Sequence, residues 1–180
     1  ASLQSSGIER VIADKMGMLA TLMNGLALTD FMRRKGMDVE IYHSSSIDGV
    51  VGSYNRDIAR ARLDAGEVVV LTGGTGNPFF TTDTAACLRA IELDVEAVLK
   101  ATSVDGVYSA DPTKNKDAYR YETLGISKLL EKELGVVDMT AAVLCKENNM
   151  PLQVVDSRTP GWMLKVIEGD PVGTIVHPHE

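Results

Sequence analysis

Val68-Val69-Val70-Leu71-Thr72-Gly73-Gly74-Thr75-Gly76-Asn77-Pro78-Phe79-Phe80-Thr81-Thr82-Asp83 is the stretch that decides how this chain is read. Its opening is continuously apolar, which predicts a strand over 68–71 covered on both faces, as in a parallel sheet. The glycines then turn the chain, and Thr82 stands where a hydroxyl can accept from an orphan amide and cap a helix over 83–93. Backbone N–H groups in a glycine turn and at a helix N-terminus point outward and carry partial positive charge. A phosphate placed there meets several donors and the favourable end of the helix dipole. The stretch therefore implies a phosphorylated small molecule as ligand.

Working outward, residues 7–34 carry apolar side chains mostly three and four apart (Val11, Ile12, Met16, Leu19, Leu22, Met23, Leu26, Phe31), which predicts a helix. It is apolar around much of its circumference, so two readings stand for it: core packing and a subunit interface. Gly17 and Gly25, with Ala20 and Ala27, permit close backbone approach. Strands are expected at 39–42, 97–99, 152–155 and 173–176, and helices at 54–65, 126–134, 139–148 (capped by Asp138) and 160–168. Strand 68–71, its helix and strand 97–99 form an expected right-handed βαβ unit. Asp111-Pro112 and the polar run 114–117 mark an exposed turn region. Alternating strands and helices give an α/β layered fold with a largely parallel sheet.

Composition bounds the function. The 180 residues suit one compact domain, with 44% hydrophobic and 24% charged residues and a net charge of −7. A diffuse acidic surface speaks against nucleic acid or an anionic membrane as the main partner. It leaves room for a nucleotide, which needs only local donors and one or two cations. Cys87 and Cys145 have no CxxC spacing and are read as small buried hydrophobes in a reducing cytosol. With no unbroken apolar run of about 18 residues, nothing is expected to span a membrane. No secretory signal is read in the opening residues, and a cytoplasmic protein is expected.

The glycine loop is neither a Walker A motif, which needs a Lys before its Ser or Thr, nor a GxGxxG. A plain tight turn before a capped helix remains one reading. Phe79-Phe80 amid Asn77, Thr81 and Thr82 adds another, stacking against a base ringed by polar groups. Asp14, Asp83, Asp105 and Asp111 are the candidate carboxylates; near phosphate each must bind sugar hydroxyls, a Lys or Mg²⁺. Lys100, read at the end of a buried strand, is either snorkelling or phosphate-facing. His43, His177 and His179 show no metal spacing, and no protein metal ligands are assigned.

Three segments carry a family resemblance: Asp14-Lys15-Met16-Gly17-Met18-Leu19-Ala20-Thr21, Gly74 through Asp83, and Leu99-Lys100-Ala101-Thr102-Ser103-Val104-Asp105-Gly106-Val107-Tyr108-Ser109-Ala110-Asp111-Pro112, with Asn149-Met150-Pro151 fitting as well. The chain resembles the bacterial uridylate (UMP) kinases of the amino acid kinase family along nearly its whole length. The GTGNPFFTTD string is specific for these kinases, whereas the VDGVY…DP string is shared with relatives that phosphorylate amino acids. The resemblance implies a three-layer α/β sandwich and transfer of the ATP γ-phosphoryl to UMP with Mg²⁺. By position it implies that Asp14 holds the ribose hydroxyls of UMP and that Thr75, Gly76, Asn77, Pro78, Phe79, Phe80, Thr81 and Thr82 wrap its base and phosphate. Lys100, Thr102, Tyr108 and Asp111 are assigned to ATP, with Tyr108 beside the adenine. Asp83 and Asp138 are assigned as charge organisers at the transferring phosphoryl. A cytoplasmic homohexamer with GTP and UTP as effectors is implied too. Glu40 stands where some relatives carry a basic residue, and no effector residue is assigned.

The sequence is expected to be one amino acid kinase domain over 1–180 without the family's N-terminal strand, Lys- and Gly-bearing loop, helix and strand. On that expectation the chain is a portion of a full kinase, and a polypeptide this short lacks turnover. Two other functions stay open. One is a kinase of a small carboxylic or amino acid, against which the aromatic-bearing loop speaks. The other is a noncatalytic nucleotide-binding or assembly module, for which the missing Lys loop speaks.

Overall fold

The computed structural model describes residues 7–179, so the opening residues on which the expectation of a missing N-terminal segment turns lie outside it. The backbone forms two compact units, 1–85 and 86–180.

The first unit opens with helix α1 (Arg10–Arg34). It is followed by β1 (Val39–His43), β2 (Gly52–Ser53), α2 (Arg56–Asp64) and β3 (Val68–Thr72), the strands forming a wholly parallel sheet in the order β2-β1-β3. α1 buries Leu22, Gly25 and Thr29. Leu22 joins Ile41 and Val51 in a small core, with Val70 packed against it. Gly25 is where the helix comes closest to the sheet: a Cβ there would collide with the Thr72 methyl and lie 3.1 Å from Ile41 Cδ1. Asn55 caps α2, its side chain accepting from the amides of Asp57 and Ile58. β3 is half-buried until Thr72, less covered than its apolar sequence suggests.

Helix α3 (Thr82–Leu93) carries the chain across the boundary between units. The second unit then contains β4 (Val98–Thr102), β5 (Thr123–Gly125), α4 (Ile126–Glu131), α5 (Met139–Glu147), β6 (Leu152–Asp156), α6 (Trp162–Ile167) and β7 (Thr174–His177). Its sheet runs β4-β6-β7-β5, and only the β6–β7 pair is antiparallel. Val107, Leu124, Ile126, Leu129, Leu152 and Val154 are almost wholly buried at its centre. Cys87 and Cys145 belong to the same cluster as free thiols, their sulfurs 3.2 Å apart. They behave as the small hydrophobes expected.

The α/β class and largely parallel pairing follow the sequence. Two expectations are corrected. β3 and β4 belong to different sheets, so they do not form one βαβ unit within a sheet; the apolar pattern marks strands but not their partners. The last helix starts at Trp162, because Gly161 takes a left-handed φ of 75° and Pro160 stays outside. α1 is long and apolar enough to cross a membrane by length and composition alone, a test that core helices also pass. Counting unbroken apolar runs misses such a helix because Gly, Thr and Asn interrupt it.

Filling the closest approach of α1 to the sheet tests this packing. Gly25→Val is expected to cost about 1–3 kcal/mol through overpacking, read as a lower urea midpoint at unchanged m-value; an unchanged midpoint would contradict it.

Candidate functional site

The glycine turn begins where β3 ends. Gly73, Gly74 and Gly76 have φ of 79°, 60° and 79°, a region that only glycine enters without strain. Gly73 also has no room for a side chain, since a Cβ would strike Ser44 and His43. Its N–H donates to Thr21 Oγ1 of α1 at 2.8 Å, which ties the turn to the helix. His43 lies beneath, buried, its Nδ1 3.0 Å from Thr72 Oγ1. Burial pushes its imidazole below the ordinary range, towards the neutral form.

The loop beyond is held by its own polar groups. Thr75 Oγ1 accepts from the Asn77 amide at 3.1 Å. The Phe79 amide donates to Asp14 Oδ2 at 2.8 Å, across 65 positions of sequence. That hydrogen bond, followed by the Arg10 side chain, holds the Asp14 carboxyl below the usual range. Phe79 is a non-glycine residue at φ 72°. The rings of Phe79 and Phe80 are 65% and 50% exposed, so they are available to a ligand rather than built into a core. The cap is corrected by one residue: Thr81 Oγ1 accepts from the Thr84 amide at 3.3 Å, and Thr82 opens α3. The expectation of uniformly outward amides is also too simple, because those of Gly73, Asn77 and Phe79 already have internal acceptors. Asp14 and the loop 75–82 are thus brought together within the first unit. Asp83 sits half-buried in the first turn of α3.

In the second unit Thr102 closes β4 at its carboxyl end, where ligands collect on parallel strands, and Tyr108 and Asp111 follow on the loop beyond it. Thr102 and Asp156 are paired there. The Ser157 amide and hydroxyl both donate to the Thr102 carbonyl, at 2.8 and 3.0 Å. Lys100 is corrected: it lies in the middle of β4, half-buried, because pairing continues two residues further to Thr102. The Tyr108 hydroxyl donates to Asp105 Oδ1 at 2.9 Å, and that bond raises its pKa. Asp111 accepts from the Thr113 hydroxyl and amide, at 2.7 and 2.9 Å, which holds its carboxyl low. Asp138 caps α5, accepting from the Ala141 amide at 2.9 Å, as expected for a cap.

Two residues escaped the sequence reading. Fully buried Thr174 on β7 accepts from the Val107 amide at 2.9 Å and donates to the Tyr121 carbonyl, anchoring the loop that carries Asp105 and Tyr108. A lone Thr in an apolar strand gives no sign of that. Arg10 was overlooked too, although its spacing of four from Asp14 is the usual one for a helical ion pair.

Comparison with known proteins follows this geometry. Residues 2–156 match the Amino acid kinase family. The uridylate kinase of Legionella pneumophila (strain Paris) is 53% identical over 175 residues, 97% of this chain and 71% of that protein. The uridylate kinase of Pseudomonas aeruginosa (strain PAO1) is 49% identical over 176 residues, 98% of this chain and 72% of that protein. Among solved structures, the UMP kinase of Bacillus anthracis superposes with a TM-score of 0.94 at 35% identity, covering 98% of this chain and 73% of that one. The uridylate kinase of Archaeoglobus fulgidus gives 0.71 at 28% identity, covering 97% and 76%.

Removing the buried anchor tests the second cluster. Thr174→Val leaves the Val107 amide without its acceptor and is expected to cost about 1–3 kcal/mol, with faster hydrogen exchange at Val107; unchanged exchange and stability would contradict the anchoring role.

Proposed function

The chain belongs to the amino acid kinase family, and we propose that it serves the transfer of the γ-phosphoryl group of ATP to UMP, giving UDP. The observation that carries this reading is the Phe79–Asp14 hydrogen bond, which joins the GTGNPFFTTD loop to the carboxylate assigned to the ribose. Asp14 accepts from the ribose hydroxyls, Thr75 to Thr82 enclose the phosphate and base, and the exposed rings of Phe79 and Phe80 flank the pyrimidine. Lys100, Thr102, Tyr108 and Asp111 serve ATP. Phosphoryl transfer asks little covalent chemistry of a protein; it requires an attacking phosphate oxygen and the γ-phosphorus in line, with their mutual repulsion offset by donors. Asp83 and Asp138 organise charge around that step.

Among the described residues no group of three or more acidic, His or Cys side chains could hold a metal by itself. In this reading Mg²⁺ would be carried mainly by phosphate oxygens and water rather than by a protein cage. Bound there, the ion would neutralise phosphate charge. The competing readings, a kinase of small amino acids and a noncatalytic module, draw no support from the relatives. The reading also places the protein in the cytoplasm and includes GTP and UTP as effectors, to which no residue is assigned.

The same reading includes self-association, with a hexamer as the assembly. α1 supports it, since Leu19, Met23, Leu28 and Phe31 are 50%, 72%, 51% and 66% exposed. Such a face on a soluble surface marks a contact site. Met23→Glu with Phe31→Glu is expected to lower the molar mass measured by light scattering to that of a smaller species; an unchanged mass would refute α1 as the contact.

Calorimetry with UMP tests the activity's first requirement. The chain is expected to bind UMP, and Asp14→Ala to weaken binding roughly 10- to 100-fold, the worth of hydrogen bonds to a charged group. Thr82→Ala is expected to weaken it less. Full affinity in both variants would break the assignment.

A further inference from the structure

The loop residue Phe79 is held in an unfavourable conformation by Asp14 and by Arg10, and the nucleotide assignment includes only the first of these. Its φ of 72° is uncommon for a bulky residue and needs outside support. Core packing does not supply it, for the ring is 65% exposed. The amide is held by Asp14 Oδ2 at 2.8 Å. The ring has Arg10 as its neighbour, the guanidinium carbon 5.5 Å from its centroid, within cation–π range. Arg10 Nε also lies 2.8 Å from both Oδ1 and Oδ2 of Asp14. One arginine in the first turn of α1 therefore touches both parts of the nucleotide site, the carboxylate and the strained loop residue.

This contact has a defined consequence for binding. A carboxylate offers about four lone-pair directions. Arg10 and the Phe79 amide occupy the same carboxylate and fix its plane, which leaves its remaining acceptor directions set before a ligand arrives. Without the guanidinium the carboxylate keeps only the Phe79 amide, which does not fix its plane, and the Phe79 ring loses its neighbour. Ordering both groups then falls to the ligand and weakens its affinity.

We propose that Arg10 is a positioning residue of the nucleoside monophosphate site, orienting the Asp14 carboxylate and steadying Phe79 so that the loop 75–82 is set to receive the nucleotide. The proposal rests on the UMP reading given above. A planar guanidinium suits both contacts, because a lysine ammonium is a point charge that matches the carboxylate and the ring face less well.

Calorimetry with UMP and, separately, with ATP tests it on the chain, Arg10→Ala, Arg10→Lys, Asp14→Ala and the double variant Arg10→Ala/Asp14→Ala. Arg10→Ala is expected to weaken UMP binding about tenfold and to leave ATP binding unchanged. Arg10→Lys should recover part of the loss. Because Arg10 acts mainly through Asp14, the double variant should bind UMP little worse than Asp14→Ala alone. Wild-type affinity in Arg10→Ala, equal losses for UMP and ATP, or full additivity in the double variant would each overturn the proposal. If the unaltered chain fails to bind UMP, the functional reading fails and this inference falls with it, an outcome distinct from tight binding that is indifferent to Arg10.

Discussion

A left-handed turn at the end of a parallel strand is the constraint on which the first unit depends. Gly73, Gly74 and Gly76 take positive φ in quick succession, and at Gly73 the side chains of Ser44 and His43 leave no space for a Cβ. This turn redirects the chain from β3 towards α3 and brings the loop between them back onto α1. Two hydrogen bonds close the arrangement: Gly73 N–H to Thr21, and Phe79 N–H to Asp14. Both acceptors sit on α1, so the helix that packs on the sheet through Gly25 also shapes the loop. Packing and site thus share one element.

The second unit solves a similar problem by different means. Its loop from β4 has no run of glycines to define it. Val107 is wholly buried and pairs with Tyr121, its carbonyl accepting at 2.8 Å, while Thr174 takes the Val107 amide. Gly106, at φ 154°, passes so close to Thr174 and Arg120 that a Cβ would collide with both. A buried hydroxyl with both of its roles filled is costly to disturb, since either backbone partner would be left unpaired. Exposed Asp105 and half-buried Tyr108 are thereby carried on a rigid base.

Much of this was legible in the sequence because its signals are local. Apolar runs located β1, β3, β6 and β7 to within a residue and β4 to within three, and Asp138 was recognisable as a cap. β2 and β5 were missed because two or three residues such as Gly52-Ser53 carry no periodic pattern. The division of β3 and β4 between sheets was missed because partner choice is set by distant chain. The same limit applies to the site. The loop and Asp14 could be named separately, but the hydrogen bond between them spans 65 positions, and only the fold discloses it. Arg10 became visible through that contact.

In the proposed reading the loop after the glycine turn, with Asp14, receives a pyrimidine monophosphate. Following backbone amide resonances in a ¹⁵N-labelled sample during titration with UMP tests it most directly. The amides of residues 73–77 and 79–82 and of Asp14 are expected to shift with saturation, while those of 103–111 shift only when ATP is added. Shifts confined to other residues, or none at saturating UMP, would contradict it.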